Sequence, residues 1–308
     1  MLKYKRIKNS EVYMRNGIVI VNKESGLTSQ AVVNRVKRIF GVDKAGHTGT
    51  LDPMATGVLP VLIGRGVKVS EFMLTSDKHY IATLTLGLTT DTEDITGSIL
   101  TRCEREIGED EVRAAVASFV GEYMQTPPMY SALKVGGKKL CDLARRGVEI
   151  EREARAVRIY SIDVSRIDEV NYTLDVRCSK GTYIRTLCAD IGARLGVGGI
   201  MSSLCRATAS GFGLSDGMKL SELEALTEEE KDARVIPVSR IFEDLPVVKL
   251  PDFFAKLAHS GLEIYLSKIG CTANVGDRVT LHDSAGCFAL GEVRRYDAGL
   301  AIKPIRQL

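Results

Sequence analysis

The run from Gly46 to Leu59, GHTGTLDPMATGVL, cannot be regular secondary structure from end to end. Gly46, Gly49 and Gly57 let the backbone take positive φ or approach a ligand closely, and Pro53 holds Asp52 in extended φ/ψ and so fixes where its carboxylate points. A carboxylate aimed in this way is a candidate nucleophile. An isolated Asp-Pro is more often only a turn. The density of glycines and the nearby His47 shift the reading toward an active-site loop, which the rest of the chain must fold to present.

Size and composition limit what surrounds that loop. The chain has 308 residues, 44% of them hydrophobic, about two domains at ~150 residues each with enough apolar surface for a real core. Lys3, Lys5, Arg6 and Lys8 lie in the first ten residues, but no apolar segment follows them, and no stretch approaches ~18 uncharged apolar residues. Secretion and membrane insertion are therefore not expected, and the cytoplasm is the expected location. The seven cysteines are scattered and never spaced C-x-x-C, which predicts reduced thiols rather than a zinc site or a disulfide framework.

Periodicity predicts an α+β protein with irregular alternation of its elements. A buried strand at Gly17–Val21 leads to a helix capped by Thr28 or Ser29, with Val32, Val33, Val36, Ile39 and Phe40 on one face and Gly41 ending it. Val58–Ile63 reads as a strand whose Pro60 implies an edge or bulge. Tyr80–Gly87 alternates as a long strand, DTEDITG at 91–97 is its turn, and Glu109–Phe119 is an amphipathic helix. Strands near Val157–Ile167 and Tyr172–Ser179 precede a helix that buries Ile184, Leu187, Cys188, Ile191 and Leu195. From about Leu245, short strands around Val247, Val279, Phe288 and Ile302 predict a small all-β module.

Net charge is only +3, so its distribution says more than its total. Between Lys134 and Arg158 there are eight basic and four acidic residues, whereas Asp216–Asp232 holds seven acidic residues against Lys219 and Lys231. The basic segment follows the break Thr126-Pro127-Pro128 and suits a flap that touches phosphates.

The Gly46–Leu59 run closely resembles the catalytic motif of the TruB family of pseudouridine synthases, and two further segments match the same family: Asp77-Lys78-His79-Tyr80, and Ser179-Lys180-Gly181-Thr182-Tyr183-Ile184-Arg185-Thr186. The resemblance implies a synthase core of a mixed, largely antiparallel sheet flanked by helices, spanning 1–244. It also implies an RNA-clamping insertion at about 124–156 and a PUA-like RNA-binding domain at 245–308. The implied activity is isomerisation of uridine 55 in the T-arm of tRNA, with Asp52 as nucleophile, Tyr80 stacked on the uracil, and Arg185 orienting the carboxylate and keeping it ionised. His47, Tyr183, Leu204, Lys23, Lys138 and Lys139 are implied to bind substrate. The reaction is redox-neutral, so no cofactor or metal is expected, and the protein is expected to act as a monomer on tRNA without a guide RNA. Three other readings stand beside this one: a non-catalytic RNA-folding protein on the same scaffold, a guide-RNA-dependent relative, and a retaining glycosidase. The last needs a second carboxylate roughly 5 Å from the nucleophile, and none is evident near the motif.

Overall fold

The computed structural model describes residues 15–308, so the expectation drawn from the first ten residues lies outside it. In chain order the elements are β1 (Gly17–Lys23), α1 (Ser29–Ile39), β2 (Ala45–His47), β3 (Thr56–Ile63), α2 (Ser70–Leu74), β4 (Lys78–Leu86), β5 (Leu88–Thr90), β6 (Ile99–Arg102) and α3 (Glu109–Ala117). They continue with β7 (Gly121–Gln125), β8 (Lys134–Val135), β9 (Lys138–Lys139), α4 (Leu140–Ala144), β10 (Arg155–Arg166), β11 (Asn171–Cys178), α5 (Ile184–Leu195), β12 (Gly199–Ala209), β13 (Phe212–Gly213), α6 (Leu220–Ala225) and α7 (Glu228–Ala233). The main sheet runs β1-β3-β12-β4-β11-β10-β7, with β2 also on β3 and β13 on β12. Every ladder in it is antiparallel except the short β3–β12 contact.

That contact explains one glycine of the loop. Gly57 has φ +103°, and a Cβ there would lie 2.3 Å from the Arg206 carbonyl oxygen. Gly49 also has positive φ (+135°), whereas Gly46 lies in β2 with open space where its Cβ would be. Gly57→Ala combines left-handed strain with a backbone clash and is expected to destabilise by about 3 kcal/mol or more, lowering Tm by roughly 5–10 °C. Gly46→Ala is expected to melt close to wild type. Thermal denaturation of the two variants checks both.

Pro60 does not mark an edge strand, because β3 is flanked by β1 on one side and by β2 and β12 on the other. The sequence rule holds more locally. Strand β2 reaches only Val61 and β12 only Gly57, so between them β3 has no strand on that side. Pro60 falls in the gap, where its missing N–H breaks no ladder bond. The carbonyls there take other donors, Thr48 N–H to Pro60 O (3.3 Å) and Arg206 Nε–H to Val58 O (2.8 Å).

Helices α1, α3 and α5 cover one face of the sheet. Thr28 caps α1 by accepting the Ala31 N–H, and α5 buries the apolar residues expected of it before stopping at Gly196, φ +73°. Val32, Val33 and Val36 of α1, Val112 and Val116 of α3, and Leu187 and Ile191 of α5 share one core with alternate residues of β3, β4 and β11. The opposite face is polar over β4 and β12, where Thr83–Ser203 and Thr85–Ser202 hydroxyls bond across the ladder.

Beyond α7, β14 (Val247–Lys249), α8 (Asp252–His259), β15 (Ile264–Tyr265), α9 (Leu266–Ile269), β16 (Arg278–Asp283), β17 (Gly286–Tyr296) and β18 (Gly299–Gln307) form a second, five-stranded sheet with its own core. The strands fall where alternation predicts them, and the sheet additionally carries α8 and α9. It is not simply appended to the rest. Leu290 is fully buried in a cluster with Ile18, Ile20, Leu62, Met73 and Phe242, so the second sheet covers the back of β1 and β3.

The basic segment hangs from the edge of the main sheet. Gln125 ends β7 directly opposite Arg155, which opens β10, and the chain between them leaves and returns at that rung. Its β8–β9 hairpin turns through Gly136 and Gly137, both at positive φ.

Candidate active site

Asp52, Tyr80, Tyr183, Arg185, Leu204 and Arg206 line one cleft of about 330 Å³. The first four come from three segments predicted separately from sequence, Leu204 comes from β12, and the fold brings them together. Leu51–Ala55 is fastened from both sides. The Ser29 side chain donates to Leu51 O (3.0 Å) and accepts from Leu51 N–H (2.8 Å), while the Lys23 ammonium donates to Pro53 O (3.0 Å), Ala55 O (2.6 Å) and Glu24 O (3.1 Å).

Lys23 is therefore not where the family resemblance leads one to expect it. It is 1% exposed and all three of its N–H groups are used on backbone carbonyls, so it holds up the nucleophile loop rather than contacting RNA. Burial pulls its pKa down to about 8, with Asp52 opposing. Lys23→Met is expected to lower kcat by about tenfold or more while leaving KM for RNA and its salt dependence unchanged, since loop geometry is lost and no phosphate contact is. Steady-state kinetics at two salt concentrations distinguishes the roles.

Arg185, in the first turn of α5, meets Asp52 with Nε 3.0 Å from Oδ2. The rest of its guanidinium is also held: Nη1 donates to Thr92 O (3.1 Å) and lies 3.6 Å from Asp94 Oδ2, and Nη2 donates to Tyr130 O (2.7 Å). Asp94, buried in the turn after β5, accepts from Thr92 Oγ1 (2.8 Å) and Thr96 N–H (2.9 Å). One arginine thus joins the nucleophile loop, the 91–97 turn and the base of the basic insertion. Burial raises the Asp52 carboxyl above the ordinary carboxylate range, and Arg185 pulls it back. The expectation that Arg185 keeps Asp52 ionised captures one of two opposed effects, and burial is the larger.

Tyr80 faces the cleft from β4, 8% exposed, and burial pushes its phenol up against the pull of Arg206. It is a protonated donor at neutral pH. Tyr183 is the N-cap residue of α5, and its peptide is clamped at both ends by the Gln125 side chain, whose Oε1 accepts the Tyr183 N–H (2.8 Å) and whose Nε2 donates to Tyr183 O (2.9 Å). Leu204 reaches the cleft from β12.

His47 lies outside this cleft and lines a neighbouring one with Gln30, Asn34, Lys37 and Lys44. Its Nδ1 accepts the Gly49 N–H at 3.3 Å, and burial lowers its pKa, leaving the ring neutral. Lys138 is exposed on the hairpin and does not line the cleft of Asp52, and Lys139 follows it in β9.

Sequence reasoning missed three residues here: Gln125, Asp94 and Arg206. Gln125 had only the adjacent Pro-Pro break to announce it, and Asp94 was read solely as part of a turn. Arg206 did carry a signal. It is two residues from Leu204 on a strand whose other buried residues are apolar, an unusual place for a guanidinium.

Solved structures share this architecture. A Cbf5-Nop10-Gar1 complex matches with TM-score 0.73 and 27% identity over 96% of this chain and 86% of that one, and an H/ACA RNP bound to a substrate RNA matches with TM-score 0.70 and 25% identity. The fold is that of a pseudouridine synthase. The family model for the TruB pseudouridylate synthase N-terminal domain covers residues 37–184, and that for the tRNA pseudouridylate synthase B C-terminal domain covers 185–243. The tRNA pseudouridine synthase B of Alkaliphilus oremlandii is 45% identical over 92% of this chain and 94% of its own length, and that of Methylobacillus flagellatus is 39% identical over 94% of each. The chain belongs to the TruB family of pseudouridine synthases.

Proposed function

We propose that this protein is a tRNA pseudouridine synthase that isomerises uridine 55 of the T-arm, with Asp52 as nucleophile. The observation that carries the reading is the 3.0 Å Arg185–Asp52 pair in a cleft beside Tyr80, within a chain of this family. Isomerisation breaks the N1–C1′ bond, turns the base and joins C1′ to C5; the C5 proton leaves and N1 gains one, with no net oxidation. Asp52 supports the ribosyl or uracil carbon while that bond is open, and Arg185 holds its carboxylate in line. Tyr80, Tyr183 and Leu204 receive the extruded base, whose unstacking costs a few kcal/mol and is offset by new contacts in the cleft.

In this reading residues 1–244 are the catalytic unit and 245–308 an RNA-binding module, the enzyme works as a monomer in the cytoplasm without a guide RNA, and His47 contacts the RNA beside the vacated stack. Lys138 and Lys139 grip phosphates from the hairpin. Lys138→Ala/Lys139→Ala is expected to raise KM several-fold with kcat unchanged and to flatten the salt dependence of binding by up to about 0.9 in log–log slope per lost contact. Equilibrium binding across a salt series checks this. The deciding experiment incubates purified protein with unmodified tRNA transcript and maps pseudouridine base by base. Pseudouridine at position 55 is expected; RNA bound but unmodified, or free uracil released, overturns the reading.

A further inference from the structure

Arg206 is 1% exposed and the largest fully buried side chain, yet no carboxylate pairs with it among the described residues. Its Nε–H goes to Val58 O and its Nη2–H to Gly49 O (3.2 Å), and it also hydrogen-bonds to the Tyr80 hydroxyl, so the partners of the guanidinium are all neutral groups. Arg185, nearly as buried, has Asp52 and Asp94. A desolvated cation with no counter-charge is costly, so its persistence calls for an anion that arrives with a ligand.

Two neighbours on the same cleft wall sharpen this. Arg206 stands directly across the β12–β4 ladder from Tyr80, and Lys78 lies two residues before Tyr80 on the same face of β4. Among the described residues the Lys78 ammonium donates to the carbonyls of Leu74 and Ser76 and pairs with no carboxylate, and the adjacent Asp77 turns to the Tyr160 hydroxyl (3.0 Å). Thr48, 1% exposed and next to the Gly49 carbonyl that holds Arg206, has a hydroxyl with no hydrogen-bond partner among the described residues. Thr48, Lys78 and Arg206 all line the cleft of Asp52.

We propose that Arg206, Lys78 and Thr48 form a phosphodiester subsite that takes the non-bridging oxygens of a phosphate flanking the extruded uridine. This rests on the uridine-isomerising reading and adds to it a fixed point for the RNA backbone inside the cleft. A permanent anion fits better than the charge that develops on a detached uracil, since that charge exists only during turnover and would leave the buried Arg206 and the half-buried Lys78 uncompensated the rest of the time. Each charge-assisted contact to phosphate is worth about tenfold or more in affinity.

The test uses T-arm hairpin RNAs carrying one neutral methylphosphonate, either 5′ or 3′ of the target uridine, with a substitution several nucleotides away as control. For wild type, one flanking substitution is expected to raise KM by about tenfold or more and the distant one to leave it unchanged. Arg206→Gln is expected to show raised KM on the unsubstituted hairpin and to lose most of the sensitivity to that same methylphosphonate; Thr48→Val and Lys78→Gln provide the same cycle if Arg206→Gln does not fold. Wild type with unchanged KM on both flanking substitutions overturns the subsite, as do variants that lose kcat alone and keep full sensitivity. Failure of wild type to modify the unsubstituted hairpin and full-length tRNA counts against the catalytic reading instead, and hairpin affinities measured at equilibrium then read the subsite separately.

Discussion

Asp52→Asn is expected to abolish pseudouridine formation, by at least ~10⁴-fold in kcat, while tRNA affinity stays within a few-fold of wild type. The substitution is nearly isosteric, and the backbone that aims the side chain is fixed by partners that do not change: Ser29 on Leu51, and Lys23 on Pro53 and Ala55. What it removes is the negative charge. Arg185 then keeps its other contacts at Thr92, Tyr130 and Asp94, so the cleft holds its shape and an inactive enzyme still binds. The RNA contacts proposed for the hairpin lysines and for Arg206 are made elsewhere on the surface and the cleft wall. Single-turnover assays with saturating protein, alongside filter binding, separate chemistry from affinity. Turnover within about tenfold of wild type would remove Asp52 from the nucleophile's role.

What could be read from the chain was local. The Gly46–Leu59 loop, Tyr80 at the start of a strand and Arg185 at the start of a helix each sit in a short segment whose spacing and chemistry are self-contained, and α1 and α5 bury the residues their periodicity predicts. What could not be read depends on register between distant strands. Arg206 matters because β12 lies beside β4 and sets it opposite Tyr80, and Gln125 matters because the end of β7 reaches the Tyr183 peptide. Neither pairing has a signature in one sequence. Lys23 shows the same limit in reverse, since the family resemblance points to substrate and only the packing of the 51–55 loop over it reveals a buried support. The strands of the C-terminal module are legible in the sequence, but its packing against the rest of the chain is not. With Leu290 buried against Ile18, Leu62 and Met73, truncation at Leu245 would uncover core surface, so point substitutions on its exposed face are the better probe of RNA binding.

Arg185→Met should lower kcat by about 10²–10⁴-fold with a smaller change in KM, and it should alter the pH profile in a defined direction. Burial already lifts the Asp52 carboxyl above its ordinary value, and Arg185 is the principal opposing influence. Removing the guanidinium raises that pKa further, so at any given pH less of the carboxylate is ionised. The acid limb of the pH–rate profile therefore moves to higher pH, and the residual activity climbs with pH over a range where wild type is already level. Stability follows the same sign. A carboxyl whose folded pKa lies above its unfolded value binds more protons in the folded state, so its contribution is present at low pH and lost as pH rises through the folded pKa. With Asp52 deprived of its cation, the variant's Tm deficit relative to wild type should widen as pH increases. Arg185→Lys should recover only part of the activity, because one ammonium cannot meet Asp52 while also reaching Asp94 and the carbonyls of Thr92 and Tyr130. A pH–rate profile for Arg185→Met with the same shape and midpoint as wild type would show that the pair has no part in setting the charge of Asp52.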